Sequence, residues 1–302
     1  MGVLSVRELL AMHGVCTGRE LLALVDVEVY PLWRVCCSDP EIVLRHVGRR
    51  YLRFDKAVEG YTRLSPSIRR EFLTYSVIGL PEQEDEIEAR RAELERDLLC
   101  ISEQKREVAR EAVHRAIEHS PHGRRLEEHV CCMIAGDVTY GMAHRVERPE
   151  PSTGRMVRGS DLDVVIVADE EISPAEAEDL DGAIYEQKWR MLVLPQLREE
   201  LDYVVKDITR VLKQLRFDDL RHMIACKILH ESELLVGSEA LFARIKGLIQ
   251  EYDIPSRLHD LTDRAARDRV IAERCLLAHS GSEESRHWDN LFFTSEEREE
   301  LC

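Results

Sequence analysis

The chain has 302 residues, 44% hydrophobic and 33% charged, which suits a globular protein of two modest domains. Its 42 Lys+Arg against 58 Asp+Glu leave a net charge of −16, which disfavours a large nucleic-acid footprint on the C-terminal part. The charge is uneven: residues 1–80 hold 11 Lys+Arg and 9 Asp+Glu, a balance of +2, and the rest carries −18. No apolar run is long enough to span a bilayer. Arg7 and Glu8 interrupt the first apolar stretch, and position 6 lacks the Ser or Thr of a myristoylation signal, so a cytoplasmic location is expected. Nine cysteines without a CxxC motif form neither a disulfide framework nor a zinc signature, and Cys131 and Cys132 read as small core residues.

In chain order, Ser5 is expected to cap a helix to about residue 13, and Thr17 another beginning near Gly18. Two extended stretches follow, Glu41–Val47 and Arg50–Phe54, separated by Gly48. Helices followed by a basic two-stranded ribbon make residues 1–80 resemble a winged helix-turn-helix domain. Two readings stand: DNA binding through Arg45, Arg49, Arg50 and Arg53, or a packing domain with a solvated basic edge. A long connecting helix is expected over 81–119, introduced by Pro81. Ile87, Leu94, Ile101 and Val108 recur there every seven residues, with Leu98 and Ala112 between them. Arg91 and Lys105 interrupt that seam. A homodimer through the 82–119 helix is one reading, and packing of the stripe within its own chain is the favoured one.

From about Glu128 the pattern becomes α/β. Val130–Ala135, Leu162–Ala168, Leu201–Ile208 and Glu233–Val236 read as strands. Ser173 and Pro174 open a helix expected to reach about Met191, and the region 248–302 is expected to be helical, ending in the acidic run Glu296–Glu300.

The chemistry concentrates in Gly159-Ser160-Asp161-Leu162-Asp163 and the apolar run after it. Aspartates two apart at a strand start point to one face, and such a pair is costly unless a cation lies between them. Upstream, Ile134-Ala135-Gly136-Asp137-Val138-Thr139-Tyr140-Gly141 reads as a strand ending at Gly, then a turn and a helical start, a pattern that frees backbone N–H groups for phosphate. Together these segments resemble the DNA polymerase beta-like nucleotidyltransferase superfamily over about residues 120–247. The resemblance implies an α+β fold with a mixed β-sheet flanked by helices, and Mg²⁺ (or Mn²⁺) with an NTP as substrate. Asp161, Asp163 and Asp202 would then be the metal-binding carboxylates, with Asp207 in reserve, while Gly136, Asp137, Gly141 and Ser160 would face the nucleotide.

Two departures stand out. Asp137 occupies a position where the family has Ser or Gly, and a hairpin marked by Pro149, Pro151 and Gly154 lies before Asp161. The hairpin's Arg145, Arg148, Arg155 and Arg158 are candidates for positive charge over the nucleotide. Lys188, Arg190 and Lys206 are candidate phosphate contacts, although isolated bases are more often solvated, and His144, His222 and His230 read as surface or packing residues. The expected activity moves a nucleoside monophosphate to a hydroxyl of a protein, small molecule, nucleotide or RNA end. The alternative is a non-catalytic DNA-binding regulator with a nucleotidyltransferase-like sensing module.

Overall fold

A computed structural model describes residues 5–278 and 291–294. The acidic run Glu296–Glu300 lies outside them. The fold is α+β, with small sheets among many helices. It divides into two compact units: the described residues of Met1–Asp97 with Asp260–Glu299, and those of Leu98–His259.

The first unit opens with α1 (Val6–His13), β1 (Cys16–Thr17), α2 (Gly18–Ala23) and α3 (Val29–Ser38). Ser5 and Thr17 each accept from the backbone three residues on, while Glu8 and Glu20 reach back, so both helix starts satisfy their donors reciprocally. Next come β2 (Val43–His46), β3 (Tyr51–Phe54), β4 (Thr62–Ser65), α4 (Ile68–Thr74) and β5 (Ser76–Gly79).

The expected ribbon does not form. β2 pairs with β5, Leu44 opposite Ile78, and β3 pairs with β4, Leu52 opposite Leu64. Local β-propensity makes both stretches extended, but pairing goes to the partners that bury their apolar faces. Two bases of the expected edge have acidic partners: Arg45 bonds Glu84 at 3.1 Å and Arg50 bonds Glu71 at 2.7 Å. The unit's core gathers Leu10, Leu21, Leu32, Trp33, Phe72 and Ile78 with Leu276 and Phe293 from the chain's end.

Helix α5 (Glu84–Glu118) begins in the first unit and continues in the second, the division falling between Asp97 and Leu98. Of its apolar stripe, Ile87, Leu98 and Ala112 are buried, and Leu94, Ile101 and Val108 are partly buried. No helix among the described residues is long and apolar enough to cross a membrane.

The second unit continues with α6 (Gly123–His129), β6 (Val130–Ala135), β7 (Glu147–Pro149), β8 (Met156–Arg158) and β9 (Leu162–Ala168). Then follow α7 (Pro174–Val193), β10 (Leu201–Asp207), α8 (Ile208–Gln214), α9 (Leu220–Glu231), β11 (Glu233–Gly237), α10 (Glu239–Glu251) and α11 (Ile254–Ala278), which crosses into the first unit after His259. A four-stranded mixed sheet of order β10-β9-β6-β11 forms its centre. Only the β9–β10 pair is parallel, joined by the crossover through α7, while β6 is antiparallel to both neighbours. The β6 residues Val130–Ala135 are all buried, so this strand and β9 form the rigid middle of the unit. Helix α7 starts where Ser173 caps it and Pro174 presets its first turn.

The inserted segment is a separate hairpin, β7 against β8, with Gly154 in its turn at φ 68°. Its tip is organised by Glu150. Burial pushes that carboxyl up, but hydrogen bonds from Thr153 and Ser152 outweigh it and hold the pKa at about 2. A depressed carboxylate contributes stability above its ordinary pKa and loses it as pH falls toward the folded value. Acidification from pH 4.5 to 2 is therefore expected to unprotect the Ser152 and Thr153 amides in hydrogen exchange. Glu150→Gln should show weak protection there at every pH; unchanged protection would count against this role.

Candidate functional site

The strand register, rather than any loop, brings the candidate carboxylates together. Asp163 is the Cα partner of Asp202 on β10 and of Ala135 on β6, so the second strand aspartate stands between a third carboxylate and the Gly136 turn. Asp161 lies just before β9. The side chains of Asp161 and Asp202 are 39% and 38% exposed, half in water at the mouth of a buried sheet. Asp207 is elsewhere. It ends β10 and caps α8 by accepting from the Arg210 N–H at 2.6 Å.

Gly136 adopts φ 70°, and a Cβ built there would run into Asp163 Oδ2. Only a bare Cα lets that carboxylate lie over the turn. Gly136→Ala is expected to cost roughly 1–2 kcal/mol from the left-handed backbone alone, and to push Asp163 aside. Urea denaturation measures the first effect; a variant as stable as the parent would contradict it.

After Gly136 the expected helical start is a single 3-10 turn, Gly136–Val138. The next residues leave the turn to reach the hairpin, which explains why no helix propagates. Asp137 is buried and its Oδ2 accepts from Ser160 Oγ at 2.6 Å, while Ser160 Oγ accepts from the His144 N–H at 3.2 Å. Asp137 and Ser160 are thus bonded to each other. Gly141, at φ 68°, turns the chain beside Leu99. The Gly136 N–H donates to Glu231 Oε1 at 3.1 Å, and Tyr140 and Lys227 reach the same carboxylate at 2.6 and 3.1 Å.

Lys105, which breaks the apolar seam, is 3% exposed and locks the approach to Asp161. Its Nζ donates to the carbonyls of Arg158 and Ser160 at 2.8 and 2.7 Å and to Glu199 at 2.5 Å. Burial pushes the Lys105 ammonium down and the Glu199 carboxyl up, and their contact opposes both shifts. The neighbouring Glu200 is buried beside the site; burial pushes its carboxyl up, Arg148 opposes this, and Asp202 and Asp161 reinforce it. Arg198, just before this pair, is held at φ 50°. Reading the sequence alone missed Lys105, Glu199, Glu200, Glu231 and Tyr140. The usable signals were a lone base in a seam and the acidic doublet directly before Leu201-Asp202.

Of the hairpin arginines, Arg148 reaches the carboxylates: 2.7 Å to Glu200 and 3.6 Å to Asp161. Arg145 bonds Gln104, Arg158 bonds the Gln196 carbonyl, and Arg155 is exposed. Lys188 is no idle surface base, since α7 delivers it to Asp202 at 3.1 Å. Lys206 is buried and bonds Gln214 at 2.9 Å, four residues further along the strand than Asp202. Arg190 is exposed. His222 also differs from expectation, because Asp218 and Asp219 flank its Nδ1 at 2.5 and 3.8 Å. Those three residues form the one group of three ligand atoms within 4.8 Å of one another among the described residues. They surround the first turn of α9, where Asp219 caps the helix. Asp161, Asp163 and Asp202 share a strand mouth without being that tightly gathered.

No protein-family model, no curated protein and no solved structure matches this chain.

Proposed function

We propose that the 98–259 unit is a divalent-metal-dependent nucleotidyltransferase, moving a nucleoside monophosphate from an NTP to a hydroxyl acceptor. The observation that carries the reading is the register pairing Asp163 with Asp202 on one side and with Ala135, just before the Gly136 turn, on the other. The donor set also fits the metal. All its atoms are carboxylate oxygens, which suit Mg²⁺ or Mn²⁺, and Asp163 fills the space a Cβ on Gly136 would take.

Asp161, Asp163 and Asp202 would hold the metal, which when bound neutralises the triphosphate and lowers the pKa of the acceptor hydroxyl. The chain's own part is orientation. Lys105 and the Ser160–Asp137 bond fix the backbone segment leading into Asp161. Asp202 lies half-exposed on the edge strand, ion-paired with Lys188 at 3.1 Å, and would exchange that partner for the metal and the acceptor hydroxyl. Incubation with α-labelled ATP, GTP, CTP and UTP, Mg²⁺ and cell extract tests the proposal. Label should pass to an acceptor with the parent protein and not with Asp161→Ala plus Asp163→Ala. No label with any nucleotide would sink it.

One observation favours a second reading, a non-catalytic regulator. Glu231 takes the Gly136 N–H that a phosphate would use, and under this reading residues 1–80, with helices α1–α3 and the β1-β5-β2 sheet as a winged-helix-like element, contact DNA. The protein would then bind DNA tightly, and calorimetry would show no metal-dependent NTP binding.

A further inference from the structure

Arg148 combines three contacts of unequal strength. Its Nε donates to the Gly159 carbonyl at 3.0 Å and its Nη1 meets the Glu200 carboxylate at 2.7 Å. Its Nη2 stands over Asp161 at 3.6 Å, in ion-pair range but beyond a hydrogen bond. The guanidinium is therefore tethered at two corners and loosely held at the third. The first tether is the residue before Ser160-Asp161, and the second is the buried acid two positions before Asp202. Hairpin strand β7 carries Arg148, and the β7–β8 pairing sets Arg148 opposite Val157.

A divalent cation and Arg148 Nη2 need the same carboxylate, so their bindings oppose each other. A triphosphate needs both, so it removes the conflict by giving the guanidinium a new anion. Resting on the nucleotidyltransferase reading, we infer that Arg148 couples metal arrival to triphosphate capture. It holds Asp161 in the metal-free protein, yields it to the metal, and then presents the freed Nη2 to the triphosphate while Glu200 and Gly159 keep it in the site. The hairpin is on this account the element that selects a polyanionic substrate, and Arg148 is its specificity-determining residue.

The test uses the full chain and two binding measurements. Mn²⁺ affinity without nucleotide is read from the electron paramagnetic resonance of free Mn²⁺. Arg148→Ala is expected to bind Mn²⁺ about two- to fivefold more tightly than the parent, the size of a half-exposed ion pair. With Mn²⁺ saturating, the same variant is expected to bind a non-hydrolysable NTP analogue roughly tenfold or more weakly, the loss of a charge-assisted hydrogen bond. Arg155→Ala makes the same charge change on the same hairpin and should alter neither, which separates a contact from a general field. If Arg148→Ala does not fold, Arg148→Lys carries the test. Lysine keeps the charge but not the three-cornered fork, and it too should weaken the analogue. Mn²⁺ binding that is equal in parent and Arg148→Ala, or shifted equally by Arg155→Ala, overturns the inference alone. No Mn²⁺ binding by any folded variant overturns the nucleotidyltransferase reading with it.

Discussion

Asp163→Asn is expected to lower nucleotide transfer by on the order of 10³-fold or more, while leaving the protein folded. A metal supplies several kcal/mol of charge stabilisation to a phosphoryl transition state, and each ~1.4 kcal/mol is tenfold in rate. Of the three proposed ligands, Asp163 is the one whose position the fold dictates most tightly. It sits within β9, opposite Asp202 and Ala135. Its Oδ2 also lies where a Cβ on Gly136 would stand, so the bare turn makes room for the carboxylate. Asn keeps the shape and removes the negative charge, so packing should survive. The measurement is single-turnover label transfer alongside thermal unfolding. A variant with full transfer would remove Asp163 from the metal site, and one that unfolds would be replaced by Asp161→Asn, whose side chain is half in water.

The second large effect concerns the stability of the first unit. Glu71→Gln is expected to destabilise the first unit by about 3–5 kcal/mol, as for a buried ion pair stripped of one partner. The Glu71 carboxylate is buried and takes both Arg50 Nε and Nη2 at 2.7 and 2.8 Å, together with Arg269. Arg269 is 1% exposed and donates to the Pro66 carbonyl at 2.8 Å and to Glu273 at 2.6 Å. Burial alone would raise the Glu71 carboxyl, but Arg269 and Arg50 outweigh it and hold it below the usual range. Its contribution is thus present above the ordinary carboxylate pKa and is lost as pH falls below it. Gln leaves two guanidiniums with one acid, Glu273, between them. Hydrogen exchange of the β5 amides gives the local stability without assuming that both units unfold together. A loss under about 1 kcal/mol would contradict the account. The paired Glu71→Leu and Arg269→Met replacement should recover much of the loss, because an apolar pair removes the uncompensated charge.

These two residues also mark what can be read before folding. Short-range rules suffice for many of the elements. Ser5, Thr17 and Ser173 cap their helices because a side-chain oxygen reaches N–H groups three residues away. Val130–Ala135 and Leu162–Ala168 are strands because their apolar runs are short and end at turn or polar residues. The Asp161-x-Asp163 pair at a strand mouth, and Asp202 opening a later strand, are legible in the same way. Partner choice is not. The stretches of β2 and β3 are extended as expected, yet each pairs with a segment further along the chain, since burial of a face decides register.

Buried charges were the least legible. Lys105 looks like a flaw in a heptad until it meets Glu199, 94 residues away, and no local pattern marks Glu71, whose partner Arg269 lies 198 residues away. Such pairs carry no local pattern, because a lone charge in sequence is indistinguishable from a solvated one; only the surrounding core makes it costly and so obliges it to find a partner. By itself, then, the sequence determined many of the elements, their caps and the presence of aspartates at strand mouths. The tertiary structure alone decided that Asp163 faces Asp202, that Arg148 is the hairpin base at the carboxylates, and that Asp137 spends its charge on Ser160. The physical reason is one of range: hydrogen bonding within a turn acts over three or four residues, whereas burial and charge compensation act between any residues the core brings together.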